Sequence, residues 1–210
     1  MTLKKKTSDS NINHPQFWDN KYIINKAKWD IGQPTPAFVE YFRSLKNKNK
    51  KILIPGCGSG HDAIFLADLG FDVYALDFSE EAINILLQKT KRSNTSLHPL
   101  NTDFFNLNEF DSAFDIVLEY TFFCAILPDK RLDYIKQVHK LLKKNGQYIG
   151  FLLPINKDVN EEGPPYGVNI DETINNFSKY FSIIECCQSK HSIEPRKETE
   201  IFVRMANVKK

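Results

Sequence analysis

Residues 51–62 read KILIPGCGSGHD, and this stretch predicts the fold of the whole chain. Residues 51–54 form a short apolar run rich in β-branched side chains, which is typical of a buried parallel strand. Glycines follow at alternate positions, Gly56, Gly58 and Gly60, where the missing side chain lets a ligand approach the backbone. Helical spacing of apolar residues begins at Asp62. A strand, a glycine turn and a helix in this order form the first half of a nucleotide-binding unit.

The second predicted strand supplies the acidic residue that such a unit needs. Residues 71–76 predict a strand that leads to Asp77, roughly 20 positions after the glycine turn, where a carboxylate can accept both hydroxyls of a ribose. The glycine pattern is Gly-x-Gly-x-Gly, whereas the dinucleotide fingerprint is Gly-x-Gly-x-x-Gly, and position 61 is His61. A diphosphate needs a close approach to the helix N-terminus, but a ligand without phosphate needs only room over the glycines. We therefore predict S-adenosylmethionine rather than a nicotinamide cofactor.

Composition excludes several other classes of protein. The 210 residues are 41% hydrophobic with a net charge of +2, which favours one domain with a sizeable core and gives no indication of nucleic-acid binding. The apolar runs are too short to span a membrane, and the lysine-rich N-terminus lacks the apolar segment of a secretory signal. The four cysteines fit no disulfide or zinc spacing. We expect a reduced, cytoplasmic protein without a metal site.

The N-terminal region divides into two parts. We expect residues 1–13 to be a disordered tail and residues 14–210 to form the single domain, in which residues 14–45 hold a lid and the first core helix. Aromatic side chains crowd the start of this region, at Phe17, Trp18, Tyr22 and Trp29. They predict either a hydrophobic cap over the sheet or a lid that excludes water and attracts a sulfonium cation.

The rest of the chain alternates between predicted strands and helices. The further strands are predicted at residues 96–100, 114–120, 147–153, 181–187 and 199–203. Pro128 begins a helix that Asn145 and Gly146 end, and residues 170–178 form another helix. This alternation is typical of an α/β fold around a parallel sheet.

Candidate ligand contacts follow the predicted strands. Asp103 and Phe104 come after the third strand and could bind an adenine by a hydrogen bond and by stacking. Tyr120 ends the fourth strand, and Tyr166 lies in a Gly-Pro-Pro-Tyr loop after the fifth. Each is also compatible with an ordinary loop or surface residue. Because the carboxyl ends of parallel strands share one edge of the sheet, we expect these side chains to meet at a ligand site.

Several of these stretches together resemble the thiopurine methyltransferase family, and within it the plant thiol/halide methyltransferases called harmless-to-ozone-layer proteins. The resemblance runs from about Phe17 to the last strand. The matching stretches are WDIGQPTP (29–36), IPGCGSGHD (54–62), DFF (103–105), YTFFCAI (120–126), GPPY (163–166) and HSI (191–193). It implies a class I methyltransferase fold, with a seven-stranded, mostly parallel Rossmann-like sheet whose last strand is antiparallel, and helices on both faces.

The resemblance also implies roles for individual residues. The cofactor-binding positions would be Trp18, Tyr22, Trp29, Gly56, Gly58, Asp77, Phe78, Asp103, Phe104 and Tyr120. Tyr120 would line the methyl-transfer site, and Tyr166 would lie on the nucleophile side, so these two are the candidate catalytic residues. Trp29 and Tyr166 would also contact the acceptor. Tyr22 stands where the plant proteins carry Trp, which changes the size of the pocket.

Arg196 is a further candidate contact for the acceptor. A guanidinium near the site could draw an anionic acceptor or favour a thiolate, although a solvent-exposed charge in the loop between the last two strands explains the residue equally well.

The implied activity is methyl transfer to a small soft nucleophile: hydrosulfide, a thiol, thiocyanate or a halide. Bulky aromatic thiols, selenium or tellurium species are alternative acceptors, and a cofactor-binding regulatory protein without catalysis is an alternative of another class. We expect a monomer whose partner is a small molecule, with no nucleic acid or membrane involved.

Overall fold

The computed structural model describes residues 11–90 and 96–208. Residues 1–10 of the predicted tail lie outside this range. Residues 12 and 13 lie against the domain, because Trp18 Nε1 donates a hydrogen bond to the carbonyl of Ile12 at 2.8 Å and both residues line the main cavity.

Seven strands of the described residues form one sheet. They are β1 Lys51–Pro55, β2 Asp72–Asp77, β3 Leu97–Asn101, β4 Phe114–Glu119, β5 Leu142–Leu152, β6 Phe181–Cys187 and β7 Ile201–Asn207. The strand order is β3-β2-β1-β4-β5-β7-β6. Strands β1 to β5 pair in parallel, and β7 runs antiparallel to both of its neighbours. This confirms the predicted class I methyltransferase fold.

Helices cover both faces of the sheet. They are α1 Pro15–Ile23, α2 Pro36–Ser44, α3 His61–Asp68, α4 Glu80–Thr90, α5 Arg131–Leu141 and α6 Ile170–Ser178. Alternate residues of β1 point to opposite faces: Ile52 and Ile54 pack in the core beneath α2, α3 and α4, and Leu53 packs beneath α5 and α6. In the described part of the chain, no helix has the length and apolar character needed to cross a membrane.

The boundary between α5 and β5 differs from the prediction. The helix ends at Leu141, not at Asn145 and Gly146, and β5 begins at Leu142. Leu142 pairs with Phe114, after which the register shifts. Asn145 has a φ of 60°. Its left-handed conformation therefore lies at the irregular start of β5 and not at the end of the helix. The boundary between α5 and β5 is therefore decided by pairing with β4, and local sequence does not encode this pairing.

A buried carboxylate ends the central strand β4. Glu119 is fully buried, and its Oε1 accepts the backbone N–H groups of Phe122 and Phe123 at 2.6 and 2.9 Å. Its Oε2 accepts the hydroxyl of Tyr148 at 2.9 Å. Burial raises the pKa of Glu119 to about 7, although these hydrogen bonds favour the ionised form. The side chain thus holds the turn that follows β4 at the edge of the sheet.

We predict that Glu119→Gln changes how stability depends on pH. The pKa of about 7 in the folded protein exceeds the value of about 4.3 in an unfolded chain. The stability contributed by the protonated group is therefore complete below the unfolded pKa and is lost as the pH rises towards the folded one. Between about pH 4 and pH 8, the unfolding free energy of the wild type should fall relative to the Gln variant by roughly 3 kcal/mol.

Urea unfolding at several pH values measures this difference. Glutamine keeps an acceptor for the two N–H groups, whereas Glu119→Ala removes it and should destabilise the protein by roughly 1–3 kcal/mol at every pH. Parallel pH curves for the wild type and the Gln variant would contradict the prediction.

Candidate active site

A cavity of about 980 Å³ opens at the carboxyl ends of the parallel strands. Each of the five parallel strands contributes a lining residue at or after its carboxyl end: Gly56 after β1, Asp77 at the end of β2, Asp103 after β3, Phe122 after β4 and Leu153 after β5. The order of the strands reverses between β1 and β4, and open α/β sheets bind ligands in the crevice at this point.

The glycine turn forms the floor beside β1. Gly56 and Gly58 have φ values of 61° and 54°, which strain any residue with a side chain. A Cβ on Gly56 would overlap the ring of Phe122, and a Cβ on Gly58 would lie 2.9 Å from the hydroxyl of Tyr22. The turn is therefore packed closely against two aromatic side chains, with the backbone of Gly56 on the cavity and that of Gly58 on an adjoining recess.

Asp77 presents a carboxylate at the next strand end. Its Oδ2 accepts the backbone N–H of Gly58 and its Oδ1 that of Ser79, both at 3.0 Å. Burial raises the pKa of Asp77 to about 6, against the effect of these hydrogen bonds. The following residue, Phe78, also lines the cavity. The group is thus held in place and can accept further hydrogen bonds on the side that faces the cavity.

Asp103 and Phe104 continue the same wall. Asp103 Oδ1 accepts the backbone N–H of Phe105 at 2.9 Å and caps a short 3₁₀ turn. Phe104 is almost fully buried and lies with its ring centroid 5.8 Å from that of Phe122. Both residues line the cavity, as their position after β3 predicts.

The aromatic residues of the lid lie on the opposite wall. Trp18, Tyr22 and Trp29 all line the cavity. The ring centroids of Trp18 and Trp29 are 5.4 Å apart, and those of Tyr22 and Trp29 are 5.7 Å apart, both in edge-to-face contact. Trp29 Nε1 donates to the hydroxyl of Tyr22 at 3.3 Å. The aromatic cluster therefore borders the cavity, and its role as a lid over a ligand stays a prediction.

Carboxylates of the lid bind it to the edge of the sheet. Asp19 accepts the hydroxyl of Ser79 at 2.6 Å and the backbone N–H of Glu81 at 3.2 Å, at the start of α4. Asp30 accepts the hydroxyl of Ser59 and lies 3.2 Å from Nε2 of His61. Sequence reasoning missed both aspartates, because nothing local separates them from other surface carboxylates.

Arg196 reaches the cavity from the loop between β6 and β7. Its Nη2 donates to the carbonyl of Trp29 at 2.8 Å, and its guanidinium lies 4.8 Å from the centre of the Tyr120 ring. Its Nη1 is buried and has no hydrogen-bond partner among the described residues. Arg196 and Thr199 both line the cavity. The side chain is therefore not the solvent-exposed charge that one interpretation of the sequence predicts.

Tyr120 lies behind Arg196. It lines a smaller recess of about 60 Å³ together with Gly58, and this recess shares Trp29, Gly56 and Thr121 with the large cavity. Its hydroxyl donates to Oε2 of Glu200 at 3.0 Å. Burial raises the pKa of both the phenol and the carboxyl group. Sequence reasoning missed Glu200, one of several charged residues in the loop before β7.

Tyr166 occupies a different place from the other candidates. Pro164 and Pro165 line the cavity, whereas Tyr166 does not; its ring packs on Gly163. The backbone N–H of Tyr166 donates to the carbonyl of Cys124 at 2.8 Å, so the loop is fixed beside the cavity. The role of the Tyr166 side chain stays a prediction.

Cys124 lines the cavity as well. Burial raises the pKa of its thiol to about 12, and Sγ donates to the carbonyl of Thr121 at 3.3 Å. The side chain is therefore a protonated thiol that contributes an apolar surface.

Comparison with known proteins agrees with this geometry. The family model described as thiopurine S-methyltransferase matches residues 13–209. A protein from Arabidopsis thaliana named probable thiol methyltransferase 2 is 31% identical over 193 residues, which cover 87% of this chain and 81% of the relative. Thiocyanate methyltransferase 1 from the same plant is 30% identical over 201 residues, which cover 91% and 84%.

A solved structure shares the fold. It is that of the 1,6-didemethyltoxoflavin-N1-methyltransferase of Burkholderia thailandensis, which superimposes with a TM-score of 0.76 at 13% identity and covers all of this chain and 93% of its own. The match of the family model over nearly the whole chain, together with the two plant relatives, shows that the chain belongs to the thiopurine S-methyltransferase family and is an S-adenosylmethionine-dependent methyltransferase.

Proposed function

We propose that the chain transfers the methyl group of S-adenosylmethionine to a small soft nucleophile, namely hydrosulfide, a thiol, thiocyanate or a halide. The observation that carries this proposal is Nη1 of Arg196, a buried guanidinium nitrogen without a partner among the described residues, in a side chain that lines the cavity. Two plant relatives, 31% and 30% identical over the aligned residues, are named as thiol and thiocyanate methyltransferases.

The cofactor fits the end of the cavity beside β1, β2 and β3. The methionine part lies against the backbone of Gly56, which lines the cavity, and near Gly58, which lines the adjoining recess. The Asp77 carboxylate accepts the ribose hydroxyls, and Asp103 with Phe104 holds the adenine. The lid rings of Trp18, Tyr22 and Trp29 face this end, where their π-electrons suit a sulfonium. When bound, the cofactor supplies an electrophilic methyl group.

The acceptor fits the opposite end. Arg196 and Thr199 supply polar groups, and Leu153, Pro154, Pro164 and Pro165 supply an apolar wall. A guanidinium is weakly hydrated and binds anions at partly buried sites. This combination suits a small anion whose charge is matched by Arg196 and whose remaining surface is apolar.

An apolar wall also suits the charge balance of the reaction. An anion and a sulfonium give two neutral products, so charge is lost on the way to the transition state. A wall that excludes water removes the solvation of the charged reactants. Alignment of the acceptor with the methyl group contributes up to about 7–11 kcal/mol in favourable cases.

Lysines around the cavity support an anionic acceptor. Lys21, Lys26 and Lys28 of the lid region and Lys130 before α5 line the cavity. Within residues 11–90 and 96–208, none of them forms an ion pair within 4.0 Å. Their field raises the local concentration of anions at the entrance.

The direct test offers a panel of acceptors to the purified protein with S-adenosylmethionine. Iodide, hydrosulfide, methanethiol and thiocyanate are supplied separately, and headspace gas chromatography detects the methylated products, while liquid chromatography follows an aromatic thiol. We expect methylated products from the small anions. Turnover of the aromatic thiol alone would assign the chain to bulky thiols, for which the cavity is also large enough, and cofactor binding without any turnover would indicate a binding protein.

We predict that cofactor affinity falls in acid because of Asp77. Ribose hydroxyls donate to its ionised form, and with a pKa of about 6 only about a tenth of the groups are ionised at pH 5. Calorimetry should therefore show roughly tenfold weaker binding of S-adenosylhomocysteine at about pH 5 than at about pH 7.5. Asp77→Asn should bind weakly at both pH values, which separates Asp77 from Asp62, whose pKa is also about 6. The same tenfold loss in the Asn variant would place the titrating group elsewhere.

We predict that Arg196→Gln raises the KM for thiocyanate by roughly tenfold or more, because the anion loses a charged hydrogen-bond partner. Arg196→Lys should restore part of the affinity, since the charge returns without the planar guanidinium. Arg43→Gln, on the outer side of α2, is the matched control and should leave this KM near the wild-type value. Affinity for S-adenosylhomocysteine checks whether loss of the bond to Trp29 has disturbed the lid. An unchanged KM in Arg196→Gln would remove Arg196 from the acceptor site.

A further inference from the structure

We propose that Tyr120 and Glu200 form a proton relay that deprotonates neutral thiol acceptors. This inference rests on the methyl transfer proposed above and adds a proton acceptor to it. Halides and thiocyanate carry no proton at neutral pH, so the relay serves one class of acceptor and not the other.

The observation behind the relay is the hydrogen bond between Tyr120 and Glu200, next to the proposed acceptor site. The hydroxyl of Tyr120 donates to Oε2 of Glu200 at 3.0 Å, and Glu200 is 1% exposed. Arg196 and Thr199, which line the cavity, lie just before Glu200 in the chain. Tyr120 is half-buried and keeps a surface on the recess that shares Trp29, Gly56 and Thr121 with the cavity. The phenol thus lies beside the recess that adjoins the cavity, and its hydroxyl reaches a carboxylate that is almost fully buried.

The surroundings of Glu200 differ from those of the structural carboxylates. Glu119 accepts two backbone N–H groups and a hydroxyl, and Asp62 accepts the N–H and the hydroxyl of Thr35 at 2.7 and 2.8 Å. Among the described residues, no backbone N–H donates to the side chain of Glu200. Protonation of Glu200 therefore breaks no hydrogen bond from the backbone, whereas the hydrogen bonds to the charged forms of Glu119 and Asp62 oppose their protonation.

Three groups face the carboxylate. They are Tyr120 from the end of β4, and Ser192 and Arg196 from the loop between β6 and β7. Burial raises the pKa of Glu200, while these three groups act in the opposite direction. The guanidinium over the Tyr120 ring favours negative charge on the phenol oxygen and on an acceptor bound beside it.

The proton moves in two linked transfers. The S–H bond of the thiol breaks, its proton goes to the oxygen of Tyr120, and the hydroxyl proton of Tyr120 goes to Glu200. Sulfur keeps the electron pair of the broken bond and attacks the methyl group as a thiolate. Once the product has left, Glu200 returns its proton to the oxygen of Tyr120, and Tyr120 releases its own hydroxyl proton to water. Both groups thus end with the protons that they had at the start.

The contribution of the relay depends on the pKa of the thiol. A thiol with a pKa of about 8.5 is only about 1% ionised at pH 6.5. An enzyme that used the thiolate from solution would therefore lose about a hundredfold in rate at this pH. General base catalysis commonly contributes about 10²–10⁴-fold, which covers this deficit.

The test compares two acceptors in two variants. Glu200→Gln keeps the size of the side chain, and Tyr120→Phe removes only the hydroxyl. The rates with 2-mercaptoethanol and with thiocyanate are measured from about pH 6 to pH 9 at saturating S-adenosylmethionine. We expect the ratio of thiol to thiocyanate turnover to fall by about thirtyfold or more at pH 6.5 in both variants, and the deficit to shrink as the pH approaches the pKa of the thiol.

Two further measurements separate the relay from structural effects. Glu185→Gln, which removes a carboxylate of β6 that pairs with Arg204, is the matched control and should keep the wild-type ratio. Calorimetry with S-adenosylhomocysteine and a thermal melt report whether each variant is folded with an intact cofactor site. If Glu200→Gln does not fold, Tyr120→Phe decides alone, because its ring remains beneath Arg196.

The possible outcomes are distinct. Equal losses with both acceptors at every pH, in folded variants, would mean that the pair only positions Arg196, and the relay would be wrong. Turnover of thiocyanate but of no thiol by the wild type would also overturn it, while leaving the methyl transfer intact. Absence of turnover with every acceptor in the wild type would overturn the proposed function, and the relay with it.

Discussion

The ligand edge of the sheet depends on the buried carboxylate of Glu119. It ends the central strand and accepts the N–H groups of Phe122 and Phe123, which would otherwise be unsatisfied as the chain leaves β4. The turn that it holds carries Phe122, whose ring packs over Gly56, and Cys124, whose carbonyl binds the loop of Tyr166. One ionisable side chain therefore positions the wall that follows β4 and the ring that packs on the floor of the cavity.

The two ends of the cavity are connected through Trp29. Its indole N–H binds Tyr22 above the glycine turn, and its carbonyl accepts Arg196 from the acceptor end. Asp30, the next residue, binds Ser59 and His61 beside the same turn. A displacement of the lid would therefore disturb the contacts beside the glycine turn and the position of the Arg196 guanidinium. If the two ends bind cofactor and acceptor as proposed, this coupling is a physical reason for the two to be aligned only when the lid lies against the sheet.

The sequence predicted those parts of the site that short-range patterns encode. The glycine turn, Asp77 and Asp103 directly follow or end predicted strands. In the structure, Gly56, Asp77 and Asp103 line the cavity at those strand ends. Asp19, Asp30 and Glu200 gain their positions from contacts across the fold, as does the start of β5 at Leu142. No local pattern marks them. Tyr166 shows the converse limit, because a motif can locate a loop at the site without showing which of its side chains faces the cavity.

In the proposed reaction, the positive charge of Arg196 is useful for two kinds of acceptor. An anion that arrives already charged needs the guanidinium and a dry wall, and the unpartnered Nη1 offers the first of these. A neutral thiol needs in addition a place for its proton, and the carboxylate behind Tyr120 offers that place. The same positive charge favours both, since it binds an anion and lowers the energy of a thiolate formed beside it. Under the two proposals, one arginine with a tyrosine and a glutamate thus serves halides, thiocyanate and thiols in a single cavity.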